Sequence, residues 1–315
     1  MAMNRMLRVV FLVVVVVGST LCHAFSVPTL SVKQLLQDYS SEIAQLKQVA
    51  TSTLGESSLS QLPYQNDVFY LRYCLDPDCQ GDESERLKRF QEGLEWRQGE
   101  GQSICQAASQ AVPQAMSSGA WDNSPIWKAA PHSDKLSQFL TPQNVFTTTT
   151  STNDLIYCIR AGQIKDVDLM KAVSVSDMVD FFLFAKEVNL LVANERSVEL
   201  DRLVTILTAN DLTGVKLVGG SKDFRSALGE SSKIANQVTP SKATSGPTLL
   251  LNLPPLLAAL VKLFTPLFPP AVNERLRFAK SPCIKSVDTL LDVAPGGSKR
   301  TDFVTEIDSI LASSK

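Results

Sequence analysis

The first hundred residues space their apolar positions as amphipathic helices do. The pattern is loose over residues 31–50 and becomes clear over Val68 to Leu75 and over Glu83 to Trp96. In the last stretch, apolar residues recur three and four positions apart, opposite a charged side. We therefore predict a small all-helical unit over residues 38–97.

Residues 98–152 interrupt this pattern. Gln, Ser, Thr, Pro and Ala dominate the segment, which ends in the run Thr147–Thr150. Such a composition is typical of connecting segments. We interpret it as a linker or insertion with one short helix, or alternatively as an ordered cap over the edge of the next domain.

Beyond Asp154, short apolar runs alternate with helical patterns. The runs at Asp154 to Ile159, Leu203 to Leu207 and Thr248 to Leu253 predict strands, and helical spacing begins near Ser176 and Asp223. Alternation of strand and helix predicts an α/β fold, with a mostly parallel sheet covered by helices. A helix over 298–315 is expected to close the chain.

The segment 254–278 is the most apolar part of this region. After Pro254-Pro255 it is apolar on every side up to Phe264, apart from Lys262, and three further prolines follow. A helix that is apolar all round needs cover on its far side as well. One interpretation is a buried core helix; the other is a movable lid that faces a pocket on one side and a membrane on the other.

Residues 1–24 have the three parts of a secretory signal peptide. Arg5 and Arg8 precede an apolar core at Val9 to Val17, and Cys22-His23-Ala24 forms a small-x-small cleavage site. The alternative is a permanent membrane anchor, although the core is about half the length that spans a bilayer.

Composition narrows the function classes. With 44% apolar residues, 20% charged residues and a net charge of −2, the chain gives no support for nucleic-acid binding. Of its two histidines, only His132 lies outside the leader. Catalytic triads and zinc sites rely on imidazole, so we expect neither an enzyme nor a metal site.

Two further motifs are weak. Cys74 and Cys79 can pair in an oxidising compartment, but the cysteines are scattered and are better explained as small buried residues. Gly214 to Ser221 approximates a phosphate-binding loop, yet Gly220 occupies the place of the essential lysine.

The order of motifs between about 60 and 297 resembles the CRAL-TRIO lipid-binding family. Asn66–Tyr73 is similar to its Asp-x-x-Leu-Leu-Arg-Phe helix, Leu94–Arg97 to its Trp-Arg ending, and Asp211–Gly214 to its Asp-Leu-x-Gly turn. Leu249–Arg277 looks like its strand, proline, gate helix and basic helix, and Pro295–Gly297 like its closing Gly-Gly turn.

This resemblance implies a lipid-binding domain over 153–297 whose apolar pocket holds one lipid as cargo, with no cofactor. The expected pocket and gate residues are Phe181, Phe182, Ile206, Leu249, Leu251, Leu256, Leu257, Leu260, Val261, Phe264 and Phe268. Arg275 falls where phosphatidylinositol binders of the family place a headgroup lysine, so it is either a headgroup contact or a solvated helix charge.

The chain departs from the family at two places. Ala243–Pro247 contains no acid where the family has Tyr-Pro-Glu-Arg, and Asn153–Ile156 replaces Gly-Arg-Pro-Val. Inositol-headgroup recognition is therefore weakened, and the cargo is a phospholipid, with phosphatidylinositol among the candidates, or a prenyl lipid. The expected function is a monomeric carrier that exchanges lipid transiently at membranes; the alternative is a membrane-recruited sensor or scaffold.

The leader also resembles the bipartite plastid-targeting leaders of diatoms, in which a phenylalanine follows the signal cleavage site. Here Phe25 follows Ala24, and residues 25–37 contain no acid. This resemblance implies a short transit segment over 25–37 and a plastid location. Secretion or residence in the endomembrane lumen is the alternative.

Overall fold

The computed structural model describes residues 30–117, 121–149, 155–215, 220–253, 276–279, 290–293 and 296–313. Four helices and a 3₁₀ turn come first: α1 Val32–Asp38, α2 Ser40–Leu54, Glu56–Ser60, α3 Asp67–Leu75 and α4 Glu83–Gln98. Side-chain oxygens of Ser31, Asn66 and Asp82 cap three of them by accepting backbone N–H bonds. The predicted helices at Val68 and Glu83 are confirmed.

Helix α1, except for its last residue Asp38, lies within the range 25–37 that we assigned to a transit segment. Val32 and Leu35 are buried in the core of the helical unit. The backbone N–H of Val32 also donates to the Asp201 carbonyl, and that of Lys33 to Asp201 Oδ1. The helical unit therefore begins at Val32 rather than at residue 38.

The segment predicted as a linker is largely ordered. It forms α5 Gln102–Met116, α6 Ser124–Ala129, α7 Ser133–Leu136 and the strand β1 Val145–Thr149. Helix α5 packs on the long helix of the α/β region and buries a stripe of mostly small residues. The ordered-cap alternative is thus the one that fits.

The remaining elements build the α/β unit. They are β2 Leu155–Arg160, α8 Asp166–Ala172, α9 Val175–Leu200, β3 Ile206–Asp211, α10 Lys222–Val238, α11 Ser241–Thr244, β4 Ser245–Leu251, β5 Leu276–Ala279, α12 Leu290–Val293 and α13 Arg300–Ser313. The predicted α/β class is confirmed. The strand predicted at Leu203 to Leu207 lies further along the chain, at Ile206–Asp211. Most of the predicted run is the segment that leads into β3.

The sheet has the strand order β1-β2-β3-β4-β5. Strand β1 is antiparallel to β2, and the other neighbours are parallel. Helices α8 and α9 connect β2 to β3, and α10 and α11 connect β3 to β4. Crossover helices between parallel strands cover the sheet, as the alternating pattern predicted.

Helix α9 is buried along most of its length. A capping box between Ser174 and Asp177 starts it, and Asp201 ends it in the left-handed region with φ of 49°. It buries four polar residues along its length, which are Glu187, Asn189, Asn194 and Ser197. Polar groups in such positions need partners from neighbouring elements, and the helical unit supplies most of them.

Arg72 of α3 and Arg97 of α4 are these partners. The Arg72 guanidinium donates to Asn194 Oδ1 (2.6 Å), to the carbonyls of Ala243 (2.6 Å) and Val204 (2.7 Å), and to Ser197 Oγ (3.3 Å). Arg97 forms a bidentate ion pair with Glu187 at 2.6 and 2.7 Å. The helical unit and the α/β unit are therefore joined by buried charges.

Candidate functional site

The two faces of the sheet are covered differently. Side chains alternate along each strand, so neighbouring residues point to opposite faces. Tyr157, Ile159 and Ile206 face α9 and its neighbours. The other face, which we call the apolar face, is lined by Ile156, Cys158, Leu207, Ala209, Leu249 and Leu251.

The apolar face runs across three parallel strands with small residues in the middle. Cys158 and Ala209 are paired across β2 and β3, and Ala209 is paired with Leu249 of β4. In the described residues, this face is covered by side chains of α12 and α13, namely Val293, Phe303, Val304 and Ile307.

Polar residues begin where the apolar face ends, at the carboxyl ends of the strands. Arg160 and Asp211 are paired across β2 and β3. Asp211 Oδ1 accepts hydrogen bonds from the Thr213 backbone N–H (3.1 Å), from Thr213 Oγ1 (2.7 Å) and from Asn252 Nδ2 (2.9 Å). We call these residues the polar edge. In parallel sheets, ligands bind at this end of the strands.

Backbone conformation holds the polar edge together. Asn252 follows β4 with φ of 57°, a left-handed conformation that asparagine tolerates better than most residues. Gly162 lies just after β2, and a Cβ built on it would stand 2.0 Å from the Thr213 carbonyl oxygen. Only glycine permits the two loops to approach this closely.

The predicted pocket residues fall on both sides of the sheet. Leu249 and Leu251 lie on the apolar face. Phe181, Phe182 and Ile206 belong to the cluster on the α9 face. The structure therefore does not bring these two groups together. The gate residues Leu256, Leu257, Leu260, Val261, Phe264 and Phe268, and the headgroup candidate Arg275, lie outside the described residues.

Phe181 does line a cavity on the α9 face. The cavity measures about 30 Å³ and is bordered by aromatic residues, including Trp127 and Tyr157, and by Asn189. This volume accommodates about two water molecules, whereas lipid-sized sites measure several hundred Å³. Phe182 instead contacts Phe224 of α10, with ring centroids 5.7 Å apart.

Side chains with nucleophilic potential are held in unreactive states. Cys74, Cys79, Cys105 and Cys158 are buried free thiols, so the pair Cys74–Cys79 is not bonded here. Burial raises the pKa of Cys74, Cys79 and Cys105 to about 12. His132 lies between Asp180 (2.9 Å) and Asp177 (3.6 Å) and contacts these carboxylates.

The structure also bears on the phosphate-loop motif, on metal binding and on membrane spans. The start of α10, which the phosphate-loop motif precedes, already binds a carboxylate: the Ser221 N–H donates to Asp166 Oδ2 at 2.6 Å. Within the described ranges, no three His, Cys, Asp or Glu side chains are arranged to hold a metal ion. None of the helices in those ranges combines the length and apolar character of a membrane span.

The likeness of this chain to known proteins lies in its structure. No family model matches the chain, and no curated protein matches it. Among solved structures, it is similar to Sfh5, a yeast protein of the CRAL-TRIO family. The two share 13% identity, with 85% of this chain and 90% of that chain covered and a TM-score of 0.48. A likeness at this level carries no conclusion about function, and the family stays a resemblance carried by the motifs.

Sequence reasoning missed four of the six residues of the apolar face. Of the polar edge it found only the motif that begins at Asp211. Leu207 and Ala209 alternate with polar Thr208 and Asn210, and Ile156 and Cys158 alternate within β2. This period of two was the available signal. It identifies two faces without saying which one is covered by helix α9.

Proposed function

We propose that this chain is a carrier, without catalytic chemistry, that holds one hydrophobic ligand against the apolar face and exchanges it at membranes. The observation that carries the proposal is the apolar face itself, six residues on three parallel strands that end at a polar edge. A lipid has the same arrangement, because its apolar tail ends in a polar head just as the apolar face ends at the polar edge.

The driving force is sufficient for retention. Removing one methylene group from water contributes about 0.8 kcal/mol, so one long hydrocarbon tail contributes many kcal/mol before the cost of ordering it. The motif order that resembles the CRAL-TRIO family supports the same function. The absence of an assembled nucleophile and base in the described chain is compatible with a carrier.

Uptake requires the cover of the apolar face to change. Phe303 and Ile307 of α13 are fully buried against it. A ligand on this face therefore displaces part of α13, or lies beside it. Arg300 Nη1 donates to the Val293 carbonyl (3.1 Å), which ties α13 to α12, so the two helices are expected to shift together. A role for the apolar segment 254–264 as a gate remains a prediction from sequence.

The carrier proposal is tested by adding bulk to the apolar face. Protein from its own cells is extracted with solvent and its lipid counted, and transfer of a fluorescent lipid between phosphatidylcholine vesicles is followed. We expect about one lipid per chain, and a loss of at least tenfold in retention and transfer for Ala209→Phe.

The matched control is Ala172→Phe, at an exposed position of α8, which should leave both readouts unchanged. Thermal melts of Ala209→Phe and of the smaller change Ala209→Val separate loss of binding from loss of folding. The proposal is contradicted if the wild-type chain contains no stoichiometric lipid and also transfers no lipid between vesicles. Retention without transfer would favour a sensor or scaffold.

We also propose a plastid location, on the leader alone. The leader lies outside the described residues, and the support is Phe25 directly after the predicted cleavage site. Import of a leader–fluorophore fusion into the plastid of a diatom-like cell tests it, and appearance of the fusion in the medium would favour secretion.

A further inference from the structure

The cavity that Phe181 lines on the α9 face contains two polar groups without a protein partner. They are the side-chain amide of Asn189 and the hydroxyl group of Tyr157. Within the described residues, neither group takes part in a hydrogen bond or an ion pair, although Asn189 is only 8% exposed. A buried amide with two donors and an acceptor unsatisfied costs free energy, unless water or a ligand completes its bonds.

The rest of the lining is neutral and largely aromatic. Phe181, Phe184 and Trp127 supply rings. The amide of Asn123 is already engaged, because it donates to the Thr147 carbonyl (3.0 Å) and accepts from the Thr147 N–H (3.3 Å). No charged side chain is among the described residues that line the cavity. An uncharged, flat ligand fits such walls, since nothing there offsets the desolvation of a charge.

Asn189 and Tyr157 can each donate and accept a hydrogen bond. Burial raises the pKa of Tyr157, so its hydroxyl keeps its proton at neutral pH. The cavity of about 30 Å³ suits about two water molecules, which can bond to both groups. A ligand that replaces this water must bring a hydroxyl or carbonyl group of its own, or these bonds are lost.

Helix α6 is the wall of the cavity that moves at the lowest cost. None of its six residues, Ser124–Ala129, is buried. It borders the cavity through Ile126 and Trp127, which are half-buried, and the Trp127 ring lies 5.9 Å from the Phe181 ring, centroid to centroid. A short element with few buried contacts opens more readily than a core helix. An outward swing of Trp127 adds the space of its indole ring to the cavity.

We propose that this cavity is a second binding site, separate from the apolar face, for a neutral aromatic molecule that carries a hydroxyl or carbonyl group. The ring of the ligand takes the place of Trp127 beside Phe181, and its polar group bonds to Asn189 and Tyr157. Because the cavity and the apolar face lie on opposite sides of the sheet, this site does not depend on the proposed carrier function.

The test compares phenol with toluene. Each molecule has one ring and nearly the same size, but only phenol has a hydroxyl group. Isothermal titration calorimetry measures the binding of each to the full chain, and we expect one phenol per chain. In Asn189→Leu, the ratio of phenol affinity to toluene affinity should fall roughly tenfold, because about one hydrogen bond is lost. Tyr157→Phe removes only a hydroxyl group and should lower the same ratio.

Two further variants test where the ring lies. Trp127→Ala opens the site without moving α6, so phenol affinity should rise roughly tenfold. The matched control is Trp96→Ala, a half-buried tryptophan of α4 that does not line the cavity, and it should leave phenol affinity unchanged. Ala209→Phe fills the apolar face and should also leave phenol affinity unchanged.

The alternative outcomes are distinct. If the wild-type chain binds no phenol, the cavity is a site for water only and the proposal is overturned. An unchanged affinity ratio in folded Asn189→Leu and Tyr157→Phe overturns it too, and Tyr157→Phe decides the point alone if Asn189→Leu does not fold. Loss of phenol binding in Ala209→Phe would place phenol on the apolar face instead. The carrier function is tested with lipids and stands or fails separately.

Discussion

At the scale of single residues, buried charges determine how the chain is held together. Arg72 is fully buried and donates only to neutral acceptors, and burial lowers its pKa to about 9. Arg97 is buried equally deeply. Burial alone would lower its pKa, but the charge of Glu187 more than offsets this, so the pKa is raised. Arg97 thus depends on one charged partner, whereas Arg72 depends on several neutral ones.

Breaking the Arg97–Glu187 pair from one side should be costly. Glu187→Met leaves a buried guanidinium without its counter-charge, and we expect a loss of about 3–5 kcal/mol in the free energy of unfolding. Arg97→Met should lose a similar amount. The double variant Arg97→Met/Glu187→Met should recover most of it, because no uncompensated charge remains. Urea unfolding measures all three, and additive losses would contradict a coupled pair.

Lys186 should make stability depend on pH in the alkaline range. Burial lowers its pKa from 10.5 to about 8, and its contact among the described residues is Ser232 Oγ at 3.4 Å. Between these two values the unfolded chain binds more protons than the folded chain, so stability rises with pH across this window. Below it, the buried ammonium destabilises the fold.

Lys186→Met should therefore raise the free energy of unfolding at pH 7 by roughly 1 kcal/mol and give a smaller gain at pH 10. The matched control is Lys88→Met, whose side chain is exposed and pairs with Glu85; it should show no such dependence. If Lys186→Met changed the free energy of unfolding equally at pH 7 and pH 10, Lys186 would be an ordinarily solvated lysine.

At the scale of elements, the first and last described helices are part of the core. Helix α1 buries Val32 and Leu35 and docks on the turn between α9 and β3 through Asp201. Helix α13 covers the apolar face. Both are short segments whose own length is too small for independent stability, so their packing holds them in place.

Removing α1 should weaken the whole unit. A chain that starts at Ser31 keeps the helix and its cap, and a chain that starts at Ser40 loses both. Burial of Val32 and Leu35 contributes about 1.5–3 kcal/mol each, so we expect the shorter chain to lose about 3 kcal/mol or more in urea unfolding. Equal stability of the two chains would contradict this. Processing of the leader is accordingly expected upstream of Ser31.

At the scale of the whole molecule, the helical unit and the α/β unit share one core. Leu190, Leu203 and Ala243 of the α/β unit belong to the same apolar cluster as α1 to α4. Hydrogen bonds of Arg72 and Arg97 cross the same boundary. So does the bond that the Lys242 backbone N–H donates to Asp76, which is paired with Arg89 inside the helical unit. A boundary at residue 97 or 153 is thus a change of composition rather than a division of the folded chain.

The sequence by itself determined the class of the fold and most of its elements. Local periodicity places α3, α4, α9, α10, β2 and β4, because an element's apolar spacing follows from its own geometry. It misjudged α5, whose buried stripe is largely alanine and carries little hydrophobic signal.

Only the tertiary structure decided which face of the sheet packs against α9, which one is the apolar face, and where the polar edge lies. Phe181 and Leu249 look alike as apolar residues of buried elements, yet they lie on opposite faces. Asp211 meets Asn252 across 41 positions, and Arg97 meets Glu187 across 90. The side to which a strand residue points depends on register, and the state of a buried charge depends on distant partners, so neither can be read from local pattern.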